Sequence, residues 1–479
     1  MKQVLVKQFK LLWNNIEAIT IFLFFVTFPF NIRKVFLTKY SYLNGEFNEY
    51  MTLSFSWSDL LILFLIIIYI IKYGIRQFPE LLNLKNYQRH INGLMSRAIL
   101  LFSKVTRETF LLYLLLFWIA LSIFWSPFKT IAIYRLFIIL TVLIFLQISL
   151  SLAKKGLIKA NLLFLGLITG GILQSLIGIL QFILNQSLGL HFLGESILGP
   201  ELPGVAKIIV SGVKHIRACG TFPHPNILAG FLVLQIILIT IILIDRQKGK
   251  LVPSQNISHE TIFSHLPNTF FFAALFINFS CFVLTFSRSA FLSLIITGTI
   301  LFFIKIGRSR PYYWLFAGAV ILTFLFLELS IVSRHSLNFL LSTQSLQERS
   351  LYSKVSREII SEHPLKGIGL GQFIYFEHFR NPNWEGWKYQ PVHNAYLLLA
   401  SELGLGGLIL FSLYILTRIT NCCHIRYYPF SLTHGIFCFV ITSFLIIFFF
   451  DHYFWDLKQG IIIFTIPFLL NFTSDETAE

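Results

Sequence analysis

TFFFAALFINFSCFVLTFSRSAFLSLIITGTILFF, residues 269–303, decides the class of this chain. Two apolar runs are separated only by Ser287, Arg288 and Ser289, a connection too short to be a loop. Each run approaches the roughly 20 residues that a bilayer helix requires. An arginine held that close to hydrocarbon is costly unless it faces a cavity or a counter-charge, so Arg288 is a candidate functional residue.

The rest of the composition agrees. Of 479 residues, 56% are hydrophobic and 13% charged, 53 are phenylalanine, and the mean hydropathy is +0.73, which no soluble domain of this size tolerates on its surface. The expectation is an all-α polytopic membrane protein. The net charge of +16 suggests nucleic acid only at first sight, because in such a protein basic residues mark the cytoplasmic side; no nucleic-acid partner is expected. Cys219, Cys281, Cys422, Cys423 and Cys438 show neither paired spacing nor Cys/His ligand spacing, so neither a disulfide framework nor a zinc site is supported.

Taken outward from the opening segment, apolar runs fall near 16–30, 60–71, 108–125, 131–152, 157–183, 227–244, 312–332, 395–417, 430–450 and 460–471. With the pair at 269–303 they make about twelve spans. Basic clusters at 72–107, 154–155, 246–250, 305–310 and 418–426 then share one side, which places both termini in the cytoplasm and every polar candidate segment outside. The 157–183 run carries Gly166, Gly170, Gly171 and Gly178, small residues that let helices pack closely in lipid. We divide the chain into an N-terminal membrane part, 1–156, and a second part, 157–479, whose large loop, 333–394, lies between the ninth and tenth spans.

That loop holds the longest polar interruption. The segment ERSLYSKVSREIISEHPLKGIGLGQF reads as an amphipathic helix with Leu351, Val355, Ile359 and Ile360 on one face. Pro364 and Gly367, Gly369 and Gly371 end it. The glycine run lacks the spacing and the Lys-Ser/Thr of a phosphate loop; it reads as a backbone turn whose N–H groups are able to meet an anion. VHNAYLLLASELGLGGLILF then sets His393 and Asn394 at a helix mouth, where the ordinary reading is an Asn N-cap beside an interfacial histidine.

Two other outer segments are polar. Arg217 precedes GTFPHPN, which puts His224 and Asn226 at a helix entrance; the ordinary reading is a snorkelling arginine and helix-starting prolines. Asp451, His452 and Asp456 in DHYFWDLKQG allow a divalent cation, though interfacial anchoring by Tyr453 and Trp455 explains them as well. Arginines and a histidine on the outer face suit a lipid diphosphate leaving group: guanidinium forks match phosphate oxygens, and a histidine near neutral pKa orients and deprotonates an acceptor hydroxyl.

In order and spacing, Arg217 with GTFPHPN, LTFSRSAFL, ERSLYSKVSREIISEHPLKGIGLGQF, VHNAYLLLASELGLGGLILF and DHYFWDLKQG resemble the successive blocks of the O-antigen ligase and polymerase family. The resemblance covers roughly 160–471. It implies an inverting bacterial membrane glycosyltransferase of the GT-C kind, metal-independent and without cofactors, in the cytoplasmic membrane with its site facing outside. It implies an undecaprenyl-diphosphate-linked glycan as donor and a lipid, glycan or protein hydroxyl as acceptor. Carried over by position, Arg217 and Arg288 bind the diphosphate and His393 acts on the acceptor. Arg349 and Arg357 follow as further phosphate ligands, with Asn394, His224, Asn226 and Asp451 as substrate-binding candidates. A polymerase of the same family and a transporter or flippase of lipid-linked glycan are the alternatives. The segment 373–392 matches no motif.

Overall fold

The computed structural model describes residues 2–74, 106–210, 212–248, 266–303, 343–423 and 432–471. The expected span at 312–332 and the basic segment at 305–310, with most of that at 72–107 and the end of that at 418–426, lie outside them. The described chain is overwhelmingly helical, with three two-stranded ribbons at its polar end.

Helix α1 is Lys2–Thr27 and α2 is Trp57–Tyr69; then come α3 (Arg107–Leu121), α4 (Lys129–Lys154), α5 (Ala160–Leu184) and α6 (Pro225–Lys248). After these follow α7 (Asn268–Leu284), α8 (Arg288–Phe303), α9 (Thr343–Glu362), α10 (Phe373–Arg380), α11 (Ala395–Cys423) and α12 (Leu432–Ile447). A single turn, α13 (Tyr453–Asp456), leads into α14 (Lys458–Asn471). Among the described residues, five helices are long and apolar enough to cross a membrane: Arg107–Trp125, Lys129–Lys154, Asn161–Leu184, Pro225–Arg246 and Ala395–Cys422. Five shorter apolar helices join them, among them Asn268–Leu284 and Arg288–Ile300 from the opening segment.

Helix α6 is the axis of the bundle. Its residues from Ile227 to Ile239 are apolar on every face apart from Gln235, and the structure buries them on every face against α5, α7, α12 and α14. The glycines of α5 fulfil their expected role. A Cβ at Gly170 would lie 2.8 Å from Phe25 O on α1, and one at Gly178 would lie 2.9 Å from Cys281 Sγ on α7. Charges inside the bundle are paired: Arg418 of α11 with Glu108 of α3, and Lys458 of α14 with Asp59 of α2. Arg418, expected in a cytoplasmic connection, is a buried helical residue.

The polar end is more ordered than the sequence suggests. Strands β1 (Arg33–Phe36) and β4 (Leu53–Ser56) pair antiparallel, and between them Tyr42–Leu43 (β2) and Glu46–Phe47 (β3) form a hairpin. Its turn is Asn44-Gly45 with φ +48° and +84°, the left-handed pair that a tight hairpin demands. This ribbon floors the large loop. Asn44 Nδ2 donates to Pro382 O, Trp384 O and Tyr389 Oη, and Asn48 Nδ2 to Tyr389 O at 2.9 Å.

Helix α9 is amphipathic as expected, but the buried stripe is Tyr352, Val355, Ser356 and Ile359, while Leu351 is exposed and Ile360 half-buried. The stripe is set by α11, which α9 crosses with Ser356 Oγ 2.8 Å from Ser401 Oγ. The glycine run is a turn with φ of +65°, +106° and +71°, and its N–H groups are occupied. Helix α11 breaks at Gly404 (φ +69°, ψ −179°). Ile368 and Gly369 donate to the Ser401 and Glu402 carbonyls, while Leu405 and Gly406 donate to Pro364 O and Leu365 O. The loop thus satisfies the backbone groups that the break exposes, and no anion site is left there.

Candidate functional site

The sequence-derived candidates converge where α6, α8, α9 and α11 begin. Arg217 follows the hairpin of β5 (Lys207–Val210) and β6 (Val213–Ile216). Its neighbour Ala218 N donates to Leu284 O at 3.0 Å, so this backbone lies along the end of α7. Arg217 Nε reaches Thr285 O at 2.6 Å. The turn it holds contains Phe286 in the left-handed region (φ +50°) and delivers Arg288 as the first residue of α8, exposed. Burial lowers the Arg217 guanidinium to about 10, and the charges of Arg288 and Arg349 act in the same direction, so Arg217 remains a cation at neutral pH with two other cations close by.

The second hand of Arg217 leads to the histidine. Arg217 Nη2 donates to Asn226 Oδ1 at 2.7 Å, and Asn226 Nδ2 donates to Asp451 Oδ2 at 2.7 Å. Asp451 Oδ1 lies 3.8 Å from His393 Nδ1 and accepts the His452 backbone N–H at 2.9 Å. That Nδ1 is buried and forms no hydrogen bond at this separation. Burial alone would raise the Asp451 carboxyl, but His393, His452 and His224 outweigh it and hold the group well below the usual carboxylate range. Behind it, His452 Nδ1 meets Asp456 at 2.8 Å; burial opposes protonation of this ring, yet Asp456 and then Asp451 raise its pKa.

A cleft of about 220 Å³ opens between these elements, lined by Arg217, His224, Asn226, Glu348, Arg349, Gln390 and His393. Five of the sequence-derived candidates line it directly. Asp451 lies one bond behind, through Asn226. Arg288 is not among the lining residues, and its link to the cleft is the charge it sets against Arg217. Two candidates do other work. Asn394 caps α11, its Oδ1 accepting Leu397 N at 3.0 Å while Nδ2 reaches Phe449 O, which is the ordinary reading of that residue. Arg357 is exposed further along α9, with Nε on Ser353 O, and does not line the cleft.

Sequence reasoning missed Glu348 and Gln390 as lining residues. Glu348 stands beside Arg349 in the quoted ERSLY, whereas Gln390 has no local signal at all. It also weighed Asp451, His452 and Asp456 only as one short cluster. The fold adds His393, whose ring lies 5.2 Å from that of His452. Ligand atoms of His393, Asp451 and His452 lie within 4.8 Å of one another, a set with the composition of a metal triad.

Chemically the cleft offers fixed cations for an anion, and a histidine backed by an ionised carboxylate for a proton. No curated protein matches this chain. Residues 273–412, which carry Arg288, Arg349 and His393 but neither Arg217 nor Asp451, match the family model described as O-antigen ligase, and the chain thus carries a domain of the O-antigen ligase family.

Proposed function

We propose that this protein transfers a glycan from undecaprenyl diphosphate to an acceptor hydroxyl at the outer face of the bacterial cytoplasmic membrane, as a ligase of the O-antigen type. The observation that carries the reading is the cleft itself, in which Arg217, Arg349 and His393, remote in sequence, line one space. Arg217, Arg288 and Arg349 take the diphosphate, where their forks neutralise the charge that grows as the sugar C1–O bond breaks. His393, its Nδ1 directed at Asp451, accepts the proton of the acceptor hydroxyl on its other nitrogen as the new C1–O bond forms. Attack opposite the leaving diphosphate inverts the anomeric centre. The full architecture is then about twelve spans of the GT-C kind.

We read the reaction as metal-independent despite the His393, Asp451 and His452 set. Asp451 already accepts from Asn226 Nδ2 and from the His452 N–H, and the arginines of the cleft supply the positive charge that a divalent ion would otherwise bring to a diphosphate.

The test is purified protein in liposomes given undecaprenyl-diphosphate-linked oligosaccharide, followed by gel and mass spectrometry. Transfer only after a lipid or protein acceptor is added supports the ligase. A ladder of longer lipid-linked chains with donor alone identifies a polymerase of the same family. Inertness in both arms overturns the enzyme reading in favour of transport.

A further inference from the structure

The cleft contains more than a diphosphate needs. Glu348 is a carboxylate in a space shared with Arg217 and Arg349, and toward a bound diphosphate it is repulsive, whereas toward a hydroxyl it is an acceptor. A sugar ring differs from phosphate in that its hydroxyls must donate as well as accept, and arginines offer donors only.

The acceptor atoms lining the cleft are few. Asn226 Oδ1 is occupied by Arg217, and His224 Nδ1 accepts the Asn226 N–H at 3.2 Å. Gln390 Nε2 donates to Trp387 O at 2.9 Å, which fixes the amide and leaves its Oε1 as the acceptor. Glu348 has about four lone-pair sites, enough to accept hydroxyls beyond any contact within the protein.

The two groups come from different elements that are tied together. Tyr352, one turn beyond Glu348 on α9 and buried, donates its hydroxyl to Lys388 O at 2.9 Å, two residues before Gln390. Tyr389, the residue between, is buried and fixed by the hairpin amides of Asn44 and Asn48. We propose that Glu348 and Gln390 are a hydroxyl-reading pair that binds a sugar ring next to the diphosphate arginines and so sets which glycan this protein handles. This rests on the glycosyl-transfer reading above. The ring belongs either to the first sugar of the donor or to the terminal sugar of the acceptor.

The test uses the full chain in nanodiscs, wild type against Glu348→Gln and Gln390→Ala. Affinity is measured for sugar-free undecaprenyl diphosphate, for the lipid-linked glycan and for that glycan with its first sugar deoxygenated; the KM for a glycan acceptor is measured alongside. We expect each variant to lose about tenfold or more toward the hydroxylated sugar, the scale of one hydrogen bond to a charged or buried polar group. Binding of the sugar-free lipid should not fall, which also shows that the variants fold. A loss in donor affinity, closed by deoxygenation, assigns the pair to the donor ring; a rise in acceptor KM alone assigns it to the acceptor. Equal changes for sugar-bearing and sugar-free lipid, or no change at all, overturn the pair. Wild-type protein that binds neither lipid overturns the glycosyl-transfer reading itself.

Discussion

At the residue scale, Arg217, Arg349 and Glu348 set charge along the cleft while the Asp451 carboxylate sits behind it. Arg288 is exposed at the start of α8 while Arg217 is anchored through two hydrogen bonds. A lysine at 288 keeps the charge and loses the planar fork. Arg288→Lys should therefore lose activity by about tenfold or more with normal expression, measured as transfer in liposomes; full turnover by that variant removes Arg288 from the site. Asp451→Asn removes the negative charge 3.8 Å from His393 Nδ1 and sets an amide NH2 against either Asn226 Nδ2 or the His452 N–H. Its kcat should fall on the order of a hundredfold or more, with donor affinity changed far less. These arginines and His393 were legible in the sequence because a polar residue pressed against apolar runs has few ordinary explanations. Gln390 was not, since an amide in a polar loop looks like any other until the fold turns it into a cleft.

At the scale of elements, the site rests on backbone more than on side chains. The break in α11 is tolerated because the 364–369 loop satisfies the freed groups. A Cβ at Gly404 would lie 2.2 Å from Leu365 O, in a region of backbone space open essentially to glycine alone. Gly404→Ala should lower the yield of folded protein and its melting temperature, read by fluorescence-detected size exclusion over a temperature series. The His452–Asp456 pair gives a pH signature. Its folded-state pKa is raised, so its stabilisation is full below about pH 6.5 and is lost as pH rises through the raised value. The melting-temperature gap between wild type and Asp456→Asn should accordingly be widest below pH 6.5 and narrow on the alkaline side. The apolar helices were readable from hydropathy, and the glycine turn from its composition. The β2–β3 hairpin carries a local signal in Asn44-Gly45, which hydropathy does not register. The buried face of α9 turned by about one residue because packing on α11, which no local pattern records, selected Tyr352 over Leu351.

For the whole molecule, a reaction driven by arginines and histidine should proceed in EDTA at the wild-type rate. A requirement for added Zn²⁺ or Mg²⁺ would instead place an ion among His393, Asp451 and His452. The family match ends at 412 and starts at 273, yet the site takes Arg217 and Asp451 from outside it and its floor from residues 44–48. The floor has a practical consequence. Anyone building chimeras to redirect glycan choice would exchange the 373–392 segment that walls the cleft at Gln390, and a segment seated on a foreign hairpin would lack the amides that here fix Tyr389. Such grafts should recover activity only when the stretch around 42–50 travels with them, so the unit of exchange is two pieces of chain more than 300 residues apart.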